Sequence, residues 1–241
     1  MPLAIILDMD GLMLDTEPIS LRIWKAAAVE LGYVLTEDVC DAMIGRTAAA
    51  NVTSLIEHFG ADFPAAEIAR SAGVRYRAHL EAHGVPRKAG LEELLSFLDR
   101  RGLARAVATS TDTALARRKL EQAGVLGYFE IVVGGDQVER GKPEPDIFLR
   151  AAACLGCDPA DCVVLEDSGP GIHAAAAAGM RPILVPDGRA PSESARRTAY
   201  ATVESLAAAR ELIEALLQNC QSPPETVGER PGRTALGPGK D

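Results

Sequence analysis

Five aliphatic residues, Leu3-Ala4-Ile5-Ile6-Leu7, run without a polar break into Asp8-Met9-Asp10-Gly11. An aliphatic run with no alternation has to be buried on both faces, which is the condition of an inner strand in a parallel sheet covered by helices. The two carboxylates that end the run cannot follow it into such a core. They mark the carboxyl edge of the sheet, where open α/β folds bind their ligands. Comparable short runs at 104–108, 131–133, 162–165 and 182–185 are each followed by polar or glycine residues and separated by helical patterns. Leu91, Leu94, Leu95 and Leu98 keep the i, i+3, i+4, i+7 spacing of one buried helix face, and Ile147, Phe148, Ala151, Ala152 and Leu155 repeat it after Pro145. The expected fold class is α/β, a Rossmann-like parallel sheet core flanked by helices.

One stretch interrupts the alternation. Between 17 and 84 the pattern is helical throughout. Pro18 suits a first helical position and Ile19, Ile23, Ala27 and Leu31 recur every four residues. A second helix carries Val52, Leu55, Ile56 and Phe59, and a third spans 64–83. This reads as an all-helical cap domain, 17–84, inserted into a catalytic core made of 1–16 and 85–220. The segment 221–241 is rich in Pro, Gly and charge and is expected to be disordered.

The polar residues at the strand ends form one set. The first run ends in Asp8 and Asp10, the second in Thr109-Ser110-Thr111, the fourth in Glu166-Asp167-Ser168-Gly169, and Gly141-Lys142-Pro143 opens a helix between them. Carboxylates gathered this closely repel by about 4 kcal/mol per pair at about 4 Å in an intermediate dielectric. A divalent cation held by carboxylate oxygens and water removes the conflict, and hard oxygen donors favour Mg2+. A metal, a lysine and hydroxyl donors together suit a phosphoryl group whose charge shifts during transfer.

Asp8-x-Asp10-Gly11-x-x-x-Asp15-Thr16 resembles the first motif of the haloacid dehalogenase superfamily. Thr109 resembles the second motif, Lys142 in Gly-Lys-Pro the third, and Glu166-Asp167 the fourth, in the family's order and over residues 3–215. The position of the insert, just after Asp15-Thr16, is similar to that in the subfamily holding β-phosphoglucomutase and the phosphoglycolate and sugar phosphatases. The resemblance implies a catalytic set of Asp8, Asp10, Thr109 and Lys142. Asp8 would be the nucleophile that becomes an aspartyl-phosphate, and Asp10 the general acid and then base. Thr109 and Lys142 would hold phosphoryl oxygens. It further implies a metal set of Asp8, Asp10 through its backbone carbonyl, Asp167, and Glu166 in support. Arg46, in Gly45-Arg46-Thr47, resembles the cap loop that contacts substrate, and Ser110 joins it as a substrate-binding residue. Asp15 reads as a hinge or capping residue outside the catalytic set.

The expected activity is a Mg2+-dependent phosphatase acting on a small phosphorylated metabolite, a sugar or organic-acid phosphate, through an aspartyl-phosphate. The alternative is a phosphomutase like β-phosphoglucomutase, in which the cap helix carries a histidine where this chain has Ser20. A receiver-like phospho-signalling module is a distant third, since receivers lack a cap. Asp10 argues against a dehalogenase, which needs neither a second aspartate nor a metal. The formal charge of −9 excludes non-specific nucleic-acid binding, which needs a basic footprint. The start of the chain lacks a basic leader, and no apolar stretch approaches the roughly 20 residues that span a bilayer. Five scattered cysteines suit a reducing compartment. The expectation is a cytoplasmic enzyme without nucleic-acid or membrane partners, a monomer or small homo-oligomer. His79 and His83 read as a polar helix face, Cys154, Cys157 and Cys162 lack a fourth ligand for a zinc, and His173, on an alanine-rich helix, reads as structural.

Overall fold

The computed structural model describes residues 3–44, 46–187 and 190–221. Its centre is a six-stranded, wholly parallel sheet in the order β3-β2-β1-β4-β5-β6. The strands are β1 (Ala4–Leu7), β2 (Arg105–Ala108), β3 (Ile131–Val133), β4 (Cys162–Glu166), β5 (Arg181–Leu184) and β6 (Ala201–Thr202). Five coincide with the aliphatic runs. β6 was not among them, because two residues carry no periodicity.

Alternation along β1 divides the core into two layers. Ile5 and Leu7 pack against α5 (Leu91–Arg100) and α10 (Leu206–Gln221) on one face. Ala4 and Ile6 pack on the other against α7 (Asp146–Leu155) and α8 (Gly169–Ala177). The small residues of α8, Ala174 and Ala175, are fully buried, so that helix lies close to the strands. Two further helices, α6 (Thr113–Gln122) and α9 (Glu193–Thr198), complete the cover. Helix α10 runs through Gln221, one residue into the segment expected to be disordered; 222–241 lie outside the described residues. No helix among the described residues is long and apolar enough to cross a membrane.

Between β1 and β2 the chain forms α1 (Glu17–Glu30), α2 (Glu37–Met43), α3 (Ala48–Phe59) and α4 (Ala65–His83). They share a core of their own around Ile23, Trp24, Ala27, Leu35, Leu55 and Ile68. Three residues expected on buried helix faces differ. Leu31 lies beyond the end of α1 and is 37% exposed, and Ile56 and Phe59 of α3 are also exposed, leaving Leu55 as that helix's buried anchor. The short α2 was not expected.

The insert is entered and left side by side. Leu14 bridges Arg87, the Asp15 N–H donates to Pro86 O at 2.9 Å, and the Lys88 N–H donates to Met13 O at 2.9 Å. The Lys88 ammonium then sits between the carboxylates of Asp15 (2.9 Å) and Asp187, the latter just past β5. Asp15 is thus held where the chain leaves the sheet.

Candidate active site

Asp8 stands one residue past β1, and its N–H continues the ladder to Leu165 O of β4 at 3.1 Å. That bond fixes its backbone while its carboxylate is buried beneath a cavity. The Lys142 ammonium, buried between β3 and α7, donates to Asp8 Oδ1, to Glu166 Oε1 at 2.6 Å and to Ala108 O at 3.3 Å. Glu166 is fully buried, and its second oxygen accepts from the Ser168 N–H at 2.7 Å and from Ser168 Oγ at 2.9 Å. Room for that carboxylate comes from Gly171, where a Cβ would fall 1.8 Å from Glu166 Oε1. Glu166, expected beside the metal, thus spends both oxygens on the lysine and on the start of α8.

Asp10 is held from three directions. Lys119 of α6 and Thr16, at the threshold of the insert, both donate to Oδ1, while Thr111 Oγ1 donates to Oδ2 at 2.7 Å. Burial pushes the Asp10 carboxyl up, but the Lys119 charge and these three hydrogen bonds outweigh it and hold the group below the ordinary carboxylate range. Thr109, buried after β2, donates its N–H to Val133 O at 3.0 Å, and its hydroxyl accepts from the Thr111 N–H at 3.1 Å.

The opposite holds for Asp8 and Asp167. Burial, followed by the charges of Glu166 and Asp10, drives the Asp8 carboxyl up to about 7 despite Lys142. Asp167 is raised well above the usual carboxylate value by burial and by Glu166, Asp8 and Glu17. Oxygens of Glu17, Asp167 and Asp187 lie within 4.8 Å of one another. The edge therefore carries a surplus of negative charge that its lysines leave uncompensated, which is the donor chemistry a divalent cation fits. Gly11 permits the approach. Its φ is +88°, and a Cβ there would lie 2.2 Å from Asp167 Oδ2.

Above these groups is a cavity of about 630 Å³. Asp8, Asp10, Thr109, Ser110, Thr111 and Lys119 line it from the sheet side; Ser20 and Trp24 of α1, Asn51 of α3 and Tyr76 of α4 line it from the insert. Arg46, Arg70 and Arg77 also line it and are exposed. Asn51 is buried, and its Oδ1 has no hydrogen-bond partner among the described residues.

The structure thus brings Asp8, Asp10, Thr109, Ser110, Lys142, Glu166 and Asp167 to one sheet edge, with Arg46 at the cavity lining. Sequence reasoning missed Glu17, Asp187 and Lys119. Asp187 follows β5 and was findable by the strand-end rule already applied to β1, β2 and β4. Glu17 lies next to Asp15-Thr16 but was read as helix start. Lys119 shares the buried face of α6 with Ala116 and Leu120, and a lysine in that register is itself a signal.

Residues 5–185 match the family model described as haloacid dehalogenase-like hydrolase. The chain is 34% identical over 186 residues to a phosphorylated carbohydrates phosphatase of Thermotoga maritima, covering 75% of this chain and 83% of that one. It is 35% identical over 177 residues to the fructose-1-phosphate phosphatase YqaB of Escherichia coli, covering 73% and 93%. Among solved structures, CbbY from Rhodobacter sphaeroides in complex with phosphate superposes with a TM-score of 0.75 at 27% identity, covering 86% of this chain and 96% of that one.

Proposed function

Since the chain belongs to the haloacid dehalogenase-like hydrolase family, we propose that it is a Mg2+-dependent phosphatase of small phosphorylated metabolites, with phosphorylated sugars and polyols first among them. The observation that carries this reading is the buried Asp8 carboxylate, gripped by Lys142 and opening onto a cavity large enough for a sugar phosphate. The phosphatases named above, one for phosphorylated carbohydrates and one for fructose 1-phosphate, support the substrate class.

In the proposed reaction the phosphoryl group sits among the Thr109 hydroxyl, Ser110 and the Lys142 side of Asp8. Asp8 attacks phosphorus; its O–P bond forms as the bond from phosphorus to the ester oxygen breaks. Asp10 must first take up a proton against the pull of Lys119; it gives that proton to the ester oxygen, and the alcohol departs. Asp10, now ionised, takes a proton from water as the water attacks the acyl-phosphate. Phosphate leaves and Asp8 is restored. Lys142 holds Asp8 in line, Glu166 holds Lys142, and Ser168 holds Glu166. Mg2+, held by Asp8, the Asp10 backbone carbonyl and Asp167, would supply the charge that lets an anionic nucleophile meet an anionic ester. Glu17 and Asp187 support that site from beside Asp167.

Ser20 lines the cavity where β-phosphoglucomutase carries a histidine, which favours the phosphatase over the mutase. Four free cysteines among the described residues favour a reducing compartment such as the cytoplasm.

Phosphate release from a panel of sugar, polyol and organic-acid phosphates, with Mg2+ and with chelator, tests the reading. Asp8→Asn should lower kcat by at least about a thousandfold while the fold is kept. Metal-independent release, or an active Asp8→Asn protein, would overturn it.

A further inference from the structure

Lys119 belongs to none of the sequence motifs, yet its side chain is only 3% exposed. It leaves α6 beside Ala116 and Leu120 and ends on the Asp10 carboxylate. Its ammonium lies 5.1 Å from the ring centroid of Tyr76, which comes from α4 on the other side of the cavity. A buried ammonium carries a desolvation cost that a methionine of similar length would not, so folding alone gives no reason to place a lysine there. What the charge does is hold a partner. A carboxylate with free side-chain torsions visits several rotamers, whereas proton transfer needs its oxygen within about 2.6–3.2 Å of the reacting atom. The ion pair, with Thr111 on the second oxygen, leaves Asp10 one orientation.

We propose that Lys119 is a positioning residue for proton transfer. It locks the Asp10 carboxylate toward the leaving-group oxygen, and the Tyr76 ring, by its contact with the ammonium, ties that lock to the helical insert. The inference rests on the phosphatase reading above and deepens it. In the first half-reaction the electron pair of the breaking P–O bond goes to the ester oxygen, which takes the Asp10 proton. An alkyl alkoxide needs that proton in order to leave. A nitrophenolate is stable as an anion and leaves without it.

This difference supplies the test. kcat/KM, which reports steps only as far as alcohol release, is measured for the alkyl phosphate best hydrolysed by the wild type and for p-nitrophenyl phosphate. Lys119→Met should lower it about a hundredfold for the alkyl ester and less than about threefold for the aryl ester. Asp10→Asn should lose more on the alkyl ester than on the aryl ester, and Lys119→Arg should recover at least about tenfold of the alkyl-ester loss. Tyr76→Leu should give a smaller loss of the same selectivity. Should Lys119→Met not fold, Lys119→Gln and Tyr76→Leu carry the comparison. Equal losses on both esters in a folded variant would reduce Lys119 to a structural role and overturn the proposal, as would no loss on either. A wild type inactive on every phosphate ester would instead remove the phosphatase reading, and the inference with it.

Discussion

Asp8 and Asp10 lie two residues apart, and their pKa values are displaced in opposite directions because their neighbours differ. Asp10 has a lysine to itself, whereas Asp8 shares Lys142 with Glu166 and faces Asp167. Without a cation, folded Asp8 keeps its proton up to about pH 7, while the unfolded chain releases it near the ordinary aspartate value of 3.8. Its contribution to stability therefore falls as pH rises from about 4 through about 7. A bound cation favours the ionised form and reverses that slope. Addition of Mg2+ should release protons at about pH 6–7, read by calorimetry in buffers of different ionisation enthalpy, and should raise Tm more at about pH 8 than at about pH 5.5. An equal Tm gain at both pH values, with no proton release, would contradict this assignment. At this scale the sequence was legible where a polar residue follows an aliphatic run, as for Asp8, Asp10, Thr109 and Asp167. It was not legible where the chemistry depends on which neighbour arrives. Nothing local to Glu166 says that its oxygens go to Lys142 and Ser168, and Lys119 reaches Asp10 across 109 positions of chain.

Among the elements, the strands were readable because burial on both faces leaves a continuous aliphatic run, as in Val163-Val164-Leu165 of β4. Helix α2 was not, because its seven residues bury only Val39, Cys40 and Met43, too few for a period to show. Strand β6 is shorter still, and the order of the six strands has no local signature at all. The junction between the insert and the sheet is also an element-level device. The Lys88 side chain, 21% exposed, joins Asp15 at the root of the insert to Asp187 past β5. Burial disfavours its charge, but hydrogen bonds and charge from Asp187 and Asp15 more than offset this and raise its pKa. Lys88→Met removes both pairs at once and leaves two carboxylates facing each other. Screening by solvent limits the loss to about 1 kcal/mol, so thermal unfolding should show Tm lower by about 2–4 °C, with proteolysis faster near residues 84–88. An unchanged Tm would mean that the clasp contributes nothing.

Over the whole molecule the charge is unevenly placed. The chain carries −9, yet Arg46, Arg70 and Arg77 line the cavity, and none of them has an ion-pair partner among the described residues. On α4, Arg70, Gly73, Val74 and Arg77 follow the i, i+3, i+4, i+7 spacing, so one helix face presents two guanidinium groups to the opening. Local positive potential on an acidic protein draws anions to one place and repels them elsewhere. Arg46→Ala should raise KM about tenfold for the best substrate with kcat held within about twofold, and the difference from wild type should shrink as salt is raised. A change confined to kcat would place Arg46 in the chemistry instead. Only Arg46 was legible beforehand; Arg70 and Arg77 acquire meaning once α4 is known to face the cavity.

Because the chain departs from the sheet at Asp15 and returns at Pro86, one backbone hydrogen bond apart, everything between them hangs from a single doorway. A segment so attached can be exchanged like a cartridge: a different bundle of helices spanning the same gap would meet the same aspartates below. The side chains that such a bundle hangs over the cavity can then change without moving the strand ends beneath them.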